Sequence, residues 1–230
     1  MTTWAIAGIV LLGGVTGTDT VSFPQAMISR PIVSATLAGA LLGAPAQGLL
    51  VGVVLELIAL ETLPVGASRY PEWGSASVVA GALYVGSHGD SAGALMVAVL
   101  GGLVAAWIGG LSMVWLRRRN ATLAHQRRAG LDAGSGGTVL RVQLLGIASD
   151  FARALLLTGV AYAVLAPVER ALANQWTLDP LWSRSALVAV AASVALGASW
   201  KLFHLVAGTR WLFLGGLAIG FGLLALGVAA

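Results

Sequence analysis

The chain has 230 residues, of which 58% are hydrophobic and 10% are charged, and its formal net charge is +4. A soluble domain carries about 25% charged residues and presents a polar surface to water, whereas this chain has a mean hydropathy of +0.90. The composition therefore excludes soluble enzymes and nucleic-acid-binding modules and predicts an integral membrane protein. The absence of cysteine also excludes disulfide scaffolds, thiol nucleophiles and cysteine-ligated metal sites.

The first part of the chain contains one apolar helix and one broken apolar segment. Residues 4–15 lack the basic start and the cleavage site of a secretory signal, so we expect them to form a retained first helix. Residues 31–60 are nearly uncharged, and as one helix they would measure about 45 Å against a hydrocarbon core of about 30 Å. Pro45 removes a backbone donor and disfavours helix just before it. We therefore predict a re-entrant helical hairpin over residues 31–62.

The remainder of the chain predicts further membrane elements on either side of a basic loop. Residues 74–87 are short for a span and favour a second broken element, whereas residues 92–116 are long enough to cross the bilayer. Residues 117–141 contain six arginines against one aspartate, a local balance of +5, so the positive-inside rule makes the loop 117–138 cytoplasmic. After this loop we predict three spans, at residues 142–166, 185–200 and 211–229. Residues 167–184 are predicted to connect the first two of them on the outer side.

These elements predict a single all-α, polytopic membrane domain over residues 1–230, with about six spans that include broken or re-entrant helices. No solenoid repeat and no inverted repeat is evident in the sequence. The three histidines are scattered, and no H-E-x-x-H, G-x-S-x-G or P-loop sequence occurs. The sequence therefore predicts no catalytic residue, no metal site and no cofactor.

Ionisable residues inside apolar segments are the informative candidates, because a charge at membrane depth costs at least about 2.5 kcal/mol and is usually kept for a pathway or a partner. Glu56 follows eight uncharged residues, and its carboxylate there would accept hydrogen bonds from sugar hydroxyls or carry a proton. The alternative is an ion pair with Arg30 or Arg153 that only locks two elements together. Asp150 and Arg153 are three residues apart on one predicted helix, which favours a purely structural pair between them.

Four further residues are candidate substrate contacts. Arg30 stands at the start of the hairpin, where a guanidinium binds a carboxylate or vicinal hydroxyls, or extends to the membrane interface. Asp19, Glu72 and His88 lie in polar turns, and each is either a substrate contact or an ordinary solvated group. We carry all four forward with Glu56 as predicted substrate-binding residues.

The segment from about residue 25 to residue 80 resembles a known family. Its elements are S-R-P-I-V-S-A-T-L-A-G-A-L-L-G at 29–43, G-x-x-x-G-x-x-x-E-L-I-A-L at 48–60, P-V-G-A at 64–67, and Pro71-Glu72. This arrangement is similar to enzyme IIC, the membrane subunit of mannose/sorbose-type bacterial phosphotransferase systems. In that family an Arg-Pro, a Glu and a Pro-Asp occupy the corresponding positions.

The resemblance implies a sugar permease of the bacterial cytoplasmic membrane that performs no bond-changing chemistry of its own. It implies a hexose or amino sugar as ligand, a IID membrane subunit as partner, and cytoplasmic IIA and IIB proteins that phosphorylate the sugar. By position it assigns Glu56, Arg30 and Glu72 to substrate binding, and it leaves homo-oligomer formation open. Two alternatives remain: an ion-coupled or uncoupled solute carrier without phosphotransfer, and a non-transporting membrane scaffold.

Overall fold

The computed structural model describes residues 2–62, 69–87, 92–204 and 208–227. Within these ranges all the regular structure is helical, and a short 3-10 turn, Leu60–Thr62, follows the third helix. The α-helices of the described residues are α1 (Thr3–Asp19), α2 (Pro31–Leu41), α3 (Pro45–Ala59), α4 (Trp73–Gly86), α5 (Ala92–Gln126), α6 (Arg128–Asp132), α7 (Gly136–Asn174), α8 (Pro180–His204) and α9 (Thr209–Ala225).

The helices have the lengths and composition of membrane elements. Four segments of the described chain are long and apolar enough to cross a bilayer: Pro45–Thr62, Gly93–Gln126, Gly136–Asn174 and Pro180–Lys201. Shorter apolar helices accompany them: Thr3–Asp19, Pro31–Leu41, Trp73–Gly86 and Thr209–Leu223. The all-α, polytopic membrane fold predicted from the sequence is confirmed.

Two connections contain more helix than the sequence predicted. The segment 117–138, predicted as a loop, continues α5 to Gln126, and α6 with the start of α7 forms most of the rest. Arginine is a good helix former, so a basic run indicates which side of the membrane it occupies rather than its conformation. The predicted outer connection 167–184 is shortened because α7 continues through Pro167 to Asn174, as membrane helices tolerate internal proline.

Helices α2 and α3 form a hairpin with a close backbone contact. Gly43, between them, has a φ of +80°, which glycine adopts without steric cost, and Pro45 occupies the first turn of α3, where its missing N–H matters least. A Cβ on Gly39 would lie 2.9 Å from the Cα of Gly48, so only small residues permit this approach. That the hairpin over residues 31–62 enters and leaves the membrane from one side stays a prediction.

Helix α4 lies at the centre of the bundle. Every residue from Gly74 to Tyr84 is buried, and α4 contacts α1, α2, α3, α5 and α7. The largest apolar cluster joins α3, α4, α5 and α8 through side chains that include Leu55, Leu83 and Val99. The surrounding helices therefore fix α4 from all sides.

The packing brings most of the buried charges to one end of the bundle. The end of α1, the start of α2, the end of α3 and the start of α4 meet there, and α5 leaves the bundle at the same end with Arg117–Arg119. We call this the arginine-rich end. The opposite end contains the start of α1, the end of α4 and the later part of α7, because Ile6, Gly86 and Glu169 line one cavity there.

Candidate functional site

The central feature of the arginine-rich end is the contact of Glu56 with the start of α2. Gly48, Gly52 and Glu56 recur every fourth residue and so lie on one face of α3. A Cβ on Gly52 would lie 2.9 Å from the Cα of Ile32, so the glycines bring α2 against this face. Glu56 consequently reaches α2, where its carboxylate accepts hydrogen bonds from the Arg30 guanidinium and from the Ile32 backbone N–H at 3.2 Å.

The start of α2 provides two partners for the Glu56 carboxylate. The first N–H groups of a helix have no intrahelical acceptor, and the helix dipole favours an anion beside them. The sequence analysis offered an ion pair of Glu56 with Arg30 or Arg153, and the structure contains the pair with Arg30. The side chains of Arg30 and Glu56 remain 33% and 17% exposed, so the protein does not fully enclose the pair. Such a pair can donate to and accept from adjacent hydroxyls of one sugar.

Asp19 positions the segment that carries Arg30. Its carboxylate is buried and accepts hydrogen bonds from the backbone N–H groups of Ala26, at 2.6 Å, and Ser29, at 2.9 Å. Both acceptor oxygens are thus directed at the loop between α1 and α2. Asp19 therefore acts in this structure as a positioning residue for Arg30.

Glu72 lies in a second, fully buried place at the arginine-rich end. It caps α4 by accepting from the Ser75 backbone N–H at 3.1 Å. Glycines of three helices enclose it: a Cβ on Gly109 of α5 would lie 2.8 Å from the Glu72 Cβ, and a Cβ on Gly74 of α4 or Gly17 of α1 would lie 3.1 or 3.6 Å from its Oε1. Its Oε2 has no hydrogen-bond partner among the described residues. The sequence placed Glu72 in a polar turn and did not predict this burial.

Asp150 and Arg153 form the ion pair that the sequence predicted, with 2.9 Å between Arg153 Nη2 and Asp150 Oδ1. The pair also reaches two other elements. Ser22, in the loop after α1, donates to Asp150, and Arg153 Nη1 donates to the Ser112 hydroxyl of α5 at 3.1 Å. The pair therefore ties α7 to α5 and to the loop that Asp19 orders.

The sequence analysis missed several polar contacts at this end. Ser22 and Ser112 gave no signal beyond a short hydroxyl side chain near or within an apolar segment. Arg117 donates to the Tyr70 hydroxyl at 2.8 Å, although the sequence marked Arg117 only as part of a basic run. His88, a predicted substrate contact, lies outside the described residues.

A family model supports the sequence resemblance over nearly the whole chain. The model described as the phosphotransferase system sorbose-specific IIC component matches residues 3–229. Curated relatives include the mannose-specific EIIC components of the phosphotransferase systems of Escherichia coli (strain K12) and Shigella flexneri. Each is 26% identical over 99 residues, which are 43% of this chain and 37% of that protein, so the alignment spans little more than a third of these relatives.

Solved structures with the same fold cover the full chain. A membrane protein structure superposes with a TM-score of 0.77 at 18% identity, and covers 100% of this chain and 92% of its own. The cryo-electron microscopy structure of the mannose transporter ManYZ in complex with microcin E492 superposes with a TM-score of 0.62 at 22% identity and the same coverage. With the family match over residues 3–229, the chain belongs to the sorbose-specific IIC component family of the phosphotransferase system.

Proposed function

We propose that the chain is the sugar-translocating subunit of a bacterial phosphotransferase system and that it binds a hexose or amino sugar at Arg30 and Glu56. The observation that carries this proposal is the partly exposed carboxylate–guanidinium pair at the glycine contact of α2 and α3. Acceptor and donor groups stand side by side there, as recognition of adjacent hydroxyls requires. Asp19 supports the site by ordering the Arg30 loop.

The proposal includes an orientation and partners. The arginines of residues 117–141 support an orientation in which the arginine-rich end lies at the cytoplasmic face of the bacterial inner membrane. A sugar bound at Arg30 and Glu56 would then be released toward cytoplasmic IIA and IIB proteins, which would carry out the phosphoryl transfer. A IID subunit in the membrane completes the proposed assembly, and this chain itself changes no bond.

The proposal is tested by uptake of radiolabelled mannose, sorbose and glucosamine into cells that express the chain with its neighbouring subunits. Glu56→Gln keeps the side-chain size but removes the charge, and a hydrogen bond to a charged group contributes about 1.5–3 kcal/mol. We expect uptake to fall about tenfold or more, since about 1.4 kcal/mol corresponds to a factor of ten. Glu61→Gln is the matched control, because Glu61 lies five residues further along and forms a more exposed ion pair with Lys201.

The outcomes separate the proposal from its alternatives. Accumulation of sugar phosphate that depends on Glu56 supports it, and Glu56-dependent entry of free sugar indicates a carrier without phosphotransfer. Equal uptake by the Glu56 and Glu61 variants at equal membrane levels contradicts it.

The second candidate function is a non-transporting scaffold, which the pairing of Arg30 with Glu56 and of Arg153 with Asp150 favours. A scaffold predicts that these pairs affect only the folded yield of the protein. It also predicts no uptake of any sugar in the panel.

A further inference from the structure

Glu169 is a buried carboxylic acid that the proposed site at the arginine-rich end does not use. It lies in the later part of α7, at the opposite end of the bundle, and is only 2% exposed. Its Oε1 has no hydrogen-bond partner among the described residues. A buried polar atom without a partner costs about 1–3 kcal/mol. A ligand that donates a hydrogen bond to this oxygen would remove that cost.

The Glu169 side chain lines a cavity of about 240 Å³ between α1, α4 and α7. Leu83 and Ile6 contribute apolar side chains to the wall, and Tyr162 contributes an aromatic ring. Arg170 also lines the cavity, although its Nε donates to the backbone carbonyl of Ala166 at 3.2 Å. Apolar walls with a few convergent polar groups are typical of small-molecule sites.

We propose that this cavity is a second sugar-binding site, where Glu169 accepts hydrogen bonds from the hydroxyls of a monosaccharide at the end opposite to Arg30 and Glu56. A sugar supplies the donors that the free Glu169 oxygen lacks, and the small volume restricts the ligand to about the size of one sugar ring. The inference rests on the proposed function, since it assigns the same class of substrate to a second place along the bundle. With the arginine-rich end in the cytoplasm, this site would bind sugar from the outer side.

The chain contains no cysteine, so a single introduced cysteine is its one thiol, and maleimide labelling of the purified chain reports on that position alone. Ala166→Cys places the thiol on the cavity wall one helical turn from Glu169, and Ile6→Cys on α1 gives a second reporter if the first variant fails to fold. We would measure the rate of maleimide labelling in permeabilised membrane vesicles that contain the full chain and its partner subunits. The added ligands are mannose, sorbose and glucosamine, and Ala133→Cys, in the exposed connection after α6, is the control.

We expect sugar to slow labelling of Ala166→Cys, by about tenfold at a concentration ten times the dissociation constant, because labelling follows the unliganded fraction. Labelling of Ala133→Cys should not change. Adding Glu169→Gln should remove most of the protection, whereas adding Glu56→Gln should leave it in place. Both reporters should give the same pattern if the ligand occupies the cavity itself.

Three results would overturn the inference, and one of them also removes the proposed function. Protection that survives Glu169→Gln but disappears with Glu56→Gln assigns the effect to the arginine-rich end. Unchanged labelling in vesicles from cells with Glu56-dependent uptake removes the second site and leaves the proposed function standing. Unchanged labelling together with no uptake of any sugar contradicts both.

Discussion

Replacement of Gly52 by alanine tests whether the glycine contact of α2 and α3 holds Glu56 in place. The added Cβ would lie 2.8 Å from the Pro31 carbonyl oxygen and 2.9 Å from the Ile32 Cα, and these backbone atoms cannot rotate away. Ordinary contact requires 3.4 Å or more, so α2 must retreat by at least about 0.5 Å. The 3.2 Å hydrogen bond from the Ile32 N–H to Glu56 would then exceed the usual hydrogen-bond range.

The cost follows from two effects. Overpacking a close contact costs about 1–3 kcal/mol, and loss of the hydrogen bond adds about 0.5–1.5 kcal/mol. We therefore expect Gly52→Ala to lower the free energy of unfolding by roughly 1.5–4.5 kcal/mol, measured by thermal unfolding in nanodiscs, and to reduce sugar uptake as Glu56 moves.

The matched control is Gly216→Ala in α9, where nothing lies within 4 Å of the added Cβ. Alanine has the higher helix propensity, so this control should be neutral or slightly stabilising. Equal unfolding temperatures and equal uptake for the two variants would refute the reasoning, because they would show that α2 and α3 do not need to approach this closely.

Three further substitutions probe the other contacts at the arginine-rich end. Asp19→Ala removes the acceptor that orders the Arg30 loop, so protease cleavage within residues 20–30 should increase and uptake should fall. Arg153→Met leaves the buried Asp150 unpaired and should cost about 3–5 kcal/mol in thermal unfolding, with partial recovery on adding Asp150→Asn. Gly109→Ala directs a Cβ at Glu72, 2.8 Å from its Cβ, and should cost about 1–3 kcal/mol in thermal unfolding; unchanged stability would mean that Glu72 moves aside freely.

The sequence predicted the class of fold because that class depends on local composition. Apolar length located the helices, and Pro45 located the break between α2 and α3. The G-x-x-x-G-x-x-x-E segment indicated the family, whereas the contact of its face with α2 became evident only from the structure. An ion pair of Glu56 was one alternative that the sequence offered, and the sequence could not choose between Arg30 and Arg153 as the partner; the structure contains the pair with Arg30.

The features that the sequence did not predict depend on contacts between distant segments. The burial of Glu72 and Glu169 was not predicted, because helices that are distant in the sequence create it. Ser22 and its partner Asp150 are 128 positions apart in the sequence, and Ser112 and its partner Arg153 are 41 positions apart. The sequence around each residue does not indicate such distant partners. The helical conformation of Arg117–Arg119 within α5 has a local cause, since arginine is a good helix former.

The length of α5 and α7 has a mechanical consequence. These helices have 35 and 39 residues, about 52 and 58 Å, so both extend well past a hydrocarbon core of about 30 Å. Beyond the bundle they are joined again by the Arg119–Ser149 hydrogen bond at 2.9 Å, and inside it by the Arg153–Ser112 hydrogen bond. Each helix is therefore continuous from the part that extends beyond the hydrocarbon core to the contact between Ser112 and Arg153, so no loop separates the buried ion pair of Arg153 from the aqueous part of either helix.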